Sequence, residues 1–183
     1  YDKVDHRRQR AAVRAFRLRK YFQGKDAIDI GCGGGYMVDA MQKQGARSAT
    51  GIDLDPEAID FGKKNHHPDA RFFCESIDDF IKRGQMFDFG HSSQVIEHVG
   101  NFNEFVSGWA KIVKPGGHFF LKTPDRRHWL AGEKPETWPN PPEYTQYFSR
   151  KNIRVLLNRH GFDVEKIFFN IKPTMEIIAR RKK

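Results

Sequence analysis

Two cysteines, Cys32 and Cys74, are all that 183 residues hold, too few to staple a secreted scaffold with disulfides. No apolar run approaches the ~18 residues of a membrane-spanning helix, so no integral membrane segment is expected. The basic N-terminus lacks the apolar stretch of roughly 7–15 residues that a secretory signal needs. With neither signal nor span, the expected location is the cytoplasm. The chain begins at Tyr1 rather than Met, which points to native residues ahead of it. Internal repeats, low-complexity tracts and linkers are missing too. The length suits one domain at roughly 100–200 residues each, so residues 1–183 are expected to form a single domain. Disorder is excluded: 38% hydrophobic residues, with 16 Phe, supply the large apolar side chains that offset ordering entropy.

Acidic charge is also in short supply. Lys and Arg number 32 against 23 Asp and Glu, a net of +9. Residues 1–23 carry +6 of this and residues 166–183 carry +5, which leaves −2 for everything between. A basic chain points to nucleic acid or an anionic surface. Here the excess sits at the two ends, where solvated basic termini are the plainer reading and an anionic partner the other.

Periodicity organises what is there. In residues 6–22, Ala11, Ala15, Leu18 and Phe22 fall on one apolar stripe of a helix and Arg10, Arg14 and Arg17 on a separate basic one. Strands and helices then alternate. Strands are expected at 27–30, 49–53, 71–74, 87–91 and 117–123, the last entered through a turn at Lys114-Pro115-Gly116-Gly117. Helices are expected at 36–44, from Asp55-Pro56-Glu57 onward, at about 103–113 and at about 149–160. Asp55 suits a helix cap and Pro56 a first helical position. Val164–Ile171 and Thr174–Arg180 read as a closing antiparallel hairpin because Lys172-Pro173 leaves so little chain to connect them. This order implies a largely parallel α/β sheet. Residues 124–148 hold five prolines and several aromatics without a clear period, and a loop of that length is often functional. Cys32 and Cys74 are expected to be small buried residues in or beside strands.

The most informative stretch is Asp29-Ile30-Gly31-Cys32-Gly33-Gly34-Gly35-Tyr36, a glycine loop between a strand and a helix. Asp53 follows at the end of the second strand, placed to accept from ribose hydroxyls in a nucleoside-binding α/β fold. The dinucleotide spacing G-x-G-x-x-G fails, because Tyr36 or Val38 stands where its last glycine is needed. Asp29 at the mouth of the loop would repel a pyrophosphate and suits a ligand with a cationic amino group.

Asp29-x-Gly31-x-Gly33-x-Gly35 followed by Gly51-Ile52-Asp53-Leu54-Asp55 resembles motif I and its continuation in class I S-adenosylmethionine-dependent methyltransferases. The segment from Phe87 to Val99, the turn Val113-Lys114-Pro115-Gly116-Gly117 and the run from Tyr147 to Phe162 are similar to the same family in the same order. The likeness spans roughly residues 25–180. It implies a Rossmann-like α/β fold: a seven-stranded, mostly parallel sheet with its last strand antiparallel and helices on both faces. It implies S-adenosyl-L-methionine as cofactor and S-adenosyl-L-homocysteine as product. By the same resemblance Asp29 would hold the methionine amino group, and Gly31, Cys32 and Gly33 would line the cofactor. Asp53 would bind the ribose, Leu54 would flank the adenine, and Ser76 and Ile77 would lie at its edge. Ser92, Ser93 and Gln94 would face the methionine moiety.

His98, just after the fourth strand, is the expected general base, the alternative being a backbone ligand or helix cap. His128 and Asp125 are weaker candidates, and His66-His67, beside Pro68, is expected on a surface turn without a role. Some relatives, ubiquinone-biosynthesis O-methyltransferases among them, hold a divalent metal with Glu-x-x-Glu-His. Here the segment reads Gln94-Val95-Ile96-Glu97-His98, and the lost carboxylate disfavours a hard cation, so no metal is expected. A small-molecule acceptor is the first expectation, with Trp129, Trp138, Tyr144 and Tyr147 able to line its pocket. RNA is the second, suggested by the basic ends and by Arg126-Arg127-His128. A non-catalytic relic of the cofactor pocket is the third.

Overall fold

The structure, a computed structural model, describes residues 2–125, 147–168 and 172–183. Seven strands form one sheet in the order β3-β2-β1-β4-β5-β7-β6. They are β1 (Asp26–Ile30), β2 (Ser48–Asp53), β3 (Arg71–Cys74), β4 (Phe87–Ser93), β5 (Val113–Pro124), β6 (Phe162–Phe168) and β7 (Thr174–Arg181). The first five pair in parallel, while β7 runs antiparallel to both β5 and β6. Residues 169–171, the end of the first hairpin strand as expected from sequence, lie outside the described residues.

Helices cover both faces, and each face has its own apolar core. On one side lie α1 (Asp2–Phe22), α2 (Tyr36–Lys43) and α3 (Pro56–Asn65). The stripe Ala11, Ala15, Leu18 and Phe22 of α1 is buried here against Met37, Met41, Phe89 and Phe120. On the other side lie α4 (Ile77–Ile81), α5 (Phe102–Ile112) and α6 (Arg150–Arg159). Trp109 of α5 is fully buried there, its ring 4.0 Å from that of Phe119.

Three expectations need correction. The short helix α4 was not expected, although Ser76 caps it by accepting from the Asp79 N–H at 3.1 Å, one half of a capping box. Lys114–Gly117 is not a turn ahead of β5 but a bulge inside it. Val113 pairs with Phe87 and the next pair is Phe89 with His118, so four residues of β5 stand against one of β4. Pro115 has no N–H to give to a ladder, which suits it to the bulge. Cys74 is exposed rather than buried, because β3 is the edge strand of the sheet.

Strand order reverses between β1 and β4: β1 is followed in sequence by β2 on one side and by a crossover to β4 on the other. Ligands of open α/β sheets bind outside the carboxyl ends of the strands at such a switch point.

Candidate functional site

The carboxyl ends of β1, β2 and β4 open into two neighbouring cavities. The first, of about 320 Å³, is bounded by Gly31, Gly33, Asp53, Leu54, Ser76 and Ile77, with Gln94, His98 and Phe105 opposite. The second, of about 480 Å³, lies under α1 and is bounded by Asp29, Gly31, Cys32, His91, Ser93 and Gln94, with Arg7, Arg10 and Arg14 facing them. Gly31 and Gln94 belong to both walls, so the two form one trough over the switch point.

The glycine loop is built to leave this trough open. Gly33 has φ +49°, and a Cβ on it would meet nothing within 4 Å. Gly31 has φ +71°, and there a Cβ would sit 2.3 Å from Val95 Cγ2. A side chain at Gly33 would thus project into open space, while one at Gly31 would collide with the segment after β4. The loop is anchored below: the Gly31 and Cys32 N–H groups donate to the Ile52 carbonyl at 2.9 and 3.0 Å. His66 supports it from α3. Its side chain is fully buried, and its Nε2 donates to the Gly34 carbonyl at 2.7 Å. Its ring meets Tyr36 edge-on at 5.2 Å. The expectation of a surface turn without a role therefore fails for His66. The Pro68 neighbour suggested a turn, but the packing of α3 against the loop decides where the ring goes.

Asp53 is oriented by backbone donors on both oxygens. Oδ2 accepts from the Gly33 N–H at 2.6 Å and Oδ1 from the Asp55 N–H at 3.0 Å. Each oxygen keeps a lone pair, so the carboxylate presents fixed acceptors to the smaller cavity. Leu54 beside it is 73% exposed, an apolar side chain at the cavity rim without protein cover.

Asp29 is buried and faces His91 across the parallel register that pairs them, with His91 Nδ1 2.6 Å from Asp29 Oδ1. A carboxylate oxygen accepts only, so Nδ1 carries the proton of this bond. The imidazole stacks on Phe120, ring centres 5.0 Å apart and planes within 4°. Its Nε2 is buried with no hydrogen-bond partner among the described residues, as is Gln94 Oε1. Gln94 itself has φ +59°, the one non-glycine residue in the left-handed region among those described. Such strain is kept where the surroundings enforce it, and functional sites collect it. Here the Gln94 N–H donates to the Lys122 carbonyl at 2.8 Å, which turns the chain sharply at the end of β4.

Arg14 reaches in from α1 and donates to Ser93 Oγ at 3.2 Å. Burial pulls its guanidinium below its ordinary value, partly offset by the Glu176 and Asp29 carboxylates. Burial, with the Asp29 and Asp53 carboxylates adding to it, pushes the Cys32 thiol far up, so it stays protonated and is no nucleophile.

Asp29, Gly31, Cys32, Gly33, Asp53, Leu54, Ser76, Ile77, Ser93 and Gln94 thus line one trough. Ser92 does not: it is buried within the sheet, and its Oγ has no partner among the described residues. His98 stands on the wall of the smaller cavity, near Asp53 and Ile77, and not on the wall with Asp29. Asp125 is buried at the end of β5, where it accepts from Arg150 Nε at 2.8 Å, a tie between β5 and α6. His128, Trp129, Trp138, Tyr144 and the Arg126-Arg127 pair lie outside the described residues. Sequence reasoning missed His91, whose strand it placed without asking which way the ring points. The parallel β1–β4 pairing that the family resemblance implies would have set it beside Asp29.

The methyltransferase domain family matches residues 4–167 of this chain. A ubiquinone biosynthesis O-methyltransferase of Coxiella burnetii is 34% identical over 108 residues, 57% of this chain and 45% of that protein. The mitochondrial enzyme of the same name from Schizosaccharomyces pombe is 36% identical over 116 residues, 61% of this chain and 42% of that protein. The chain spans about half the length of these curated relatives. Magnesium protoporphyrin IX methyltransferase from Synechocystis PCC 6803, solved with bound SAH, superposes with a TM-score of 0.76 at 15% identity, over 98% of this chain and 84% of that one. The glycine loop, the strand order and these matches together make the chain a member of the methyltransferase domain family, of the class I S-adenosylmethionine-dependent type.

Proposed function

We propose that the trough binds S-adenosylmethionine along its length and that the methyl group passes to a small-molecule acceptor lodged under α1. The observation that carries this reading is the continuity of the two cavities through Gly31 and Gln94, with Asp29 in the wall of the larger and Asp53 and Glu75 in the wall of the smaller. The residues present fit the cofactor. Asp53, its oxygens already aimed by backbone donors, accepts from the ribose hydroxyls. Leu54 and Ile77 give the adenine apolar surface. Asp29 and the unpartnered Gln94 Oε1 are acceptors for the methionine ammonium. Arg14 has unused N–H donors for the carboxylate, and the open space over Gly33 lets the nucleoside pass.

When bound, the cofactor supplies an electrophilic methyl on a cationic sulfur, which keeps the electron pair of the broken S–C bond as an acceptor lone pair forms the new bond. The protein's share is chiefly positioning two reactants in line, which can supply several kcal/mol. His98, on the nucleoside side, is proposed as a neighbour of the adenosine rather than as the base. The names of the relatives support a small acceptor: ubiquinone biosynthesis in two of them and magnesium protoporphyrin IX in another. RNA is the second reading, favoured by the arginines that α1 presents at the cavity mouth.

Incubation with methyl-labelled S-adenosylmethionine and a cell extract tests both. Label in the small-molecule or solvent-extractable fraction, lost with Asp53→Ala, is the expected result. Label in the macromolecular fraction that RNase releases overturns it.

A further inference from the structure

We infer that the acceptor is an anion, a molecule carrying a carboxylate or phosphate group that Arg7 and Arg10 hold at the mouth of the larger cavity. The inference rests on the proposed methyltransferase reading and names its substrate class.

The argument is one of charge. Arg7, Arg10 and Arg14 follow at spacings of three and four, so α1 turns all three guanidinium groups to one side, and all three line the cavity. Several cations elsewhere in the protein are matched. Arg17, also on α1, pairs with Glu176 at 3.3 Å, Arg150 with Asp125 at 2.8 Å and Lys114 with Asp88 at 3.0 Å. None of the three cavity arginines has a carboxylate within 4.0 Å among the described residues. The one acid in the wall among the described residues, Asp29, is engaged by His91.

The cofactor does not supply the missing charge. Its carboxylate would satisfy one guanidinium, Arg14, the most buried of the three and the one tied to Ser93. Its ammonium and sulfonium add two positive charges, so the loaded cavity is more cationic than the empty one. Two guanidinium groups remain, one turn apart, at the open side. A carboxylate or phosphate matches their donor geometry, and guanidinium binds both groups through paired N–H donors. The anionic group is a handle, and the methyl-accepting atom is a separate part of the same molecule. A neutral acceptor would leave Arg7 and Arg10 without a carboxylate partner among the described residues.

The test uses the full chain saturated with S-adenosylhomocysteine, titrated by calorimetry with benzoate, phenyl phosphate and neutral benzamide. The expected result is binding of one or both anions and not of benzamide, weakening steeply with salt. The double variant Arg7→Gln, Arg10→Gln should weaken anion binding about tenfold or more while S-adenosylhomocysteine binds as before. Benzoate the tighter ligand assigns a carboxylate handle, and phenyl phosphate the tighter a phosphate one. Equal binding of benzamide, or anion binding untouched by the double variant, overturns the inference while the methyltransferase reading stands. A single-stranded RNA oligonucleotide that binds far more tightly than either anion, and is lost in the same variant, overturns it in favour of RNA. Failure of the unmodified chain to bind S-adenosylhomocysteine removes the methyltransferase reading and this inference together.

Discussion

Asp29 and His91 form a buried pair whose members depend on each other. A buried carboxylate left without its donor keeps its full desolvation cost, so breaking such a pair costs about 3–5 kcal/mol. His91→Ala should therefore lower the melting temperature by about 6 °C or more, at roughly 2–4 °C per kcal/mol for a chain of this size. Adding Asp29→Asn to it should cost less than the two separate losses combined, because the second change removes the stranded charge. Thermal melts of the two single variants and the double variant check this, and full additivity would mean that the 2.6 Å contact carries no coupling. Gly33 offers a second test at this scale. Gly33→Ala meets no protein atom within 4 Å, yet its φ of +49° costs an L-residue roughly 1–2 kcal/mol. The fold should survive with a melting temperature a few degrees lower, while affinity for S-adenosylhomocysteine should fall about tenfold or more, because the new methyl group stands in the trough. Individual residues are where the sequence was hardest to read. Asp53, Gly31 and Gly33 announce themselves through spacing. His91 and His66 do not, because their roles depend on which face of a strand or loop a ring takes, and packing between elements decides that.

At the scale of elements, the pattern was legible wherever a period was long enough. The apolar stripe of α1 is buried as its spacing requires, and β3 keeps the bounds read from its composition. The five residues of α4 are too few to show a period, and only the Ser76–Asp79 cap marks them. At the amino ends of the strands, away from the site, four strands are tied by charge. Asp26 at the start of β1 accepts from Arg47 and from Ser48 Oγ, and its N–H donates to Asp88 Oδ2 at 3.0 Å on β4. Lys114 in the β5 bulge reaches Asp88 at 3.0 Å. The Arg47 hydrogen bond, chiefly, holds the Asp26 carboxyl at about 2, below its ordinary value of 3.8. A carboxyl lowered by folding stabilises above its unfolded value, and that stabilisation disappears as pH falls toward the folded one. Asp26→Asn should thus melt earlier than the unsubstituted chain at pH 6, by an amount kept near 1 kcal/mol or less by the exposure of Arg47. The gap should close between about pH 4 and pH 2. Melting curves across that range measure it, and a gap independent of pH would show that Asp26 acts through packing alone.

Across the whole molecule the fold was more legible than the acceptor site. Alternating strands and helices fix a parallel sheet, and the short Lys172-Pro173 link forces the final reversal. The loop expected to take the acceptor, residues 126–146, lies outside those described, and the cavity arginines of α1 sit in a basic end that reads from sequence as either a solvated face or a hold on an anionic partner. The order of strands also constrains how the molecule is made. β7 leaves the ribosome after β6 yet occupies the place between β5 and β6, carrying Met175, Ile177, Ile178 and Ala179 into both cores. Until it arrives, β5 and β6 have no neighbour to pair with on that side, and α6 covers a core that lacks its last layer. Such long-range pairing is slow to form and leaves strand edges open meanwhile. A nascent chain ending at Phe168 and carried clear of the exit tunnel by a linker should be cut readily by protease within α5 and α6, and one ending at Arg181 on the same linker should resist. Synthesis therefore runs almost to Arg181 before the sheet can lock, and the emerging chain depends on its basic N-terminal end, or on a chaperone, to stay in solution until then.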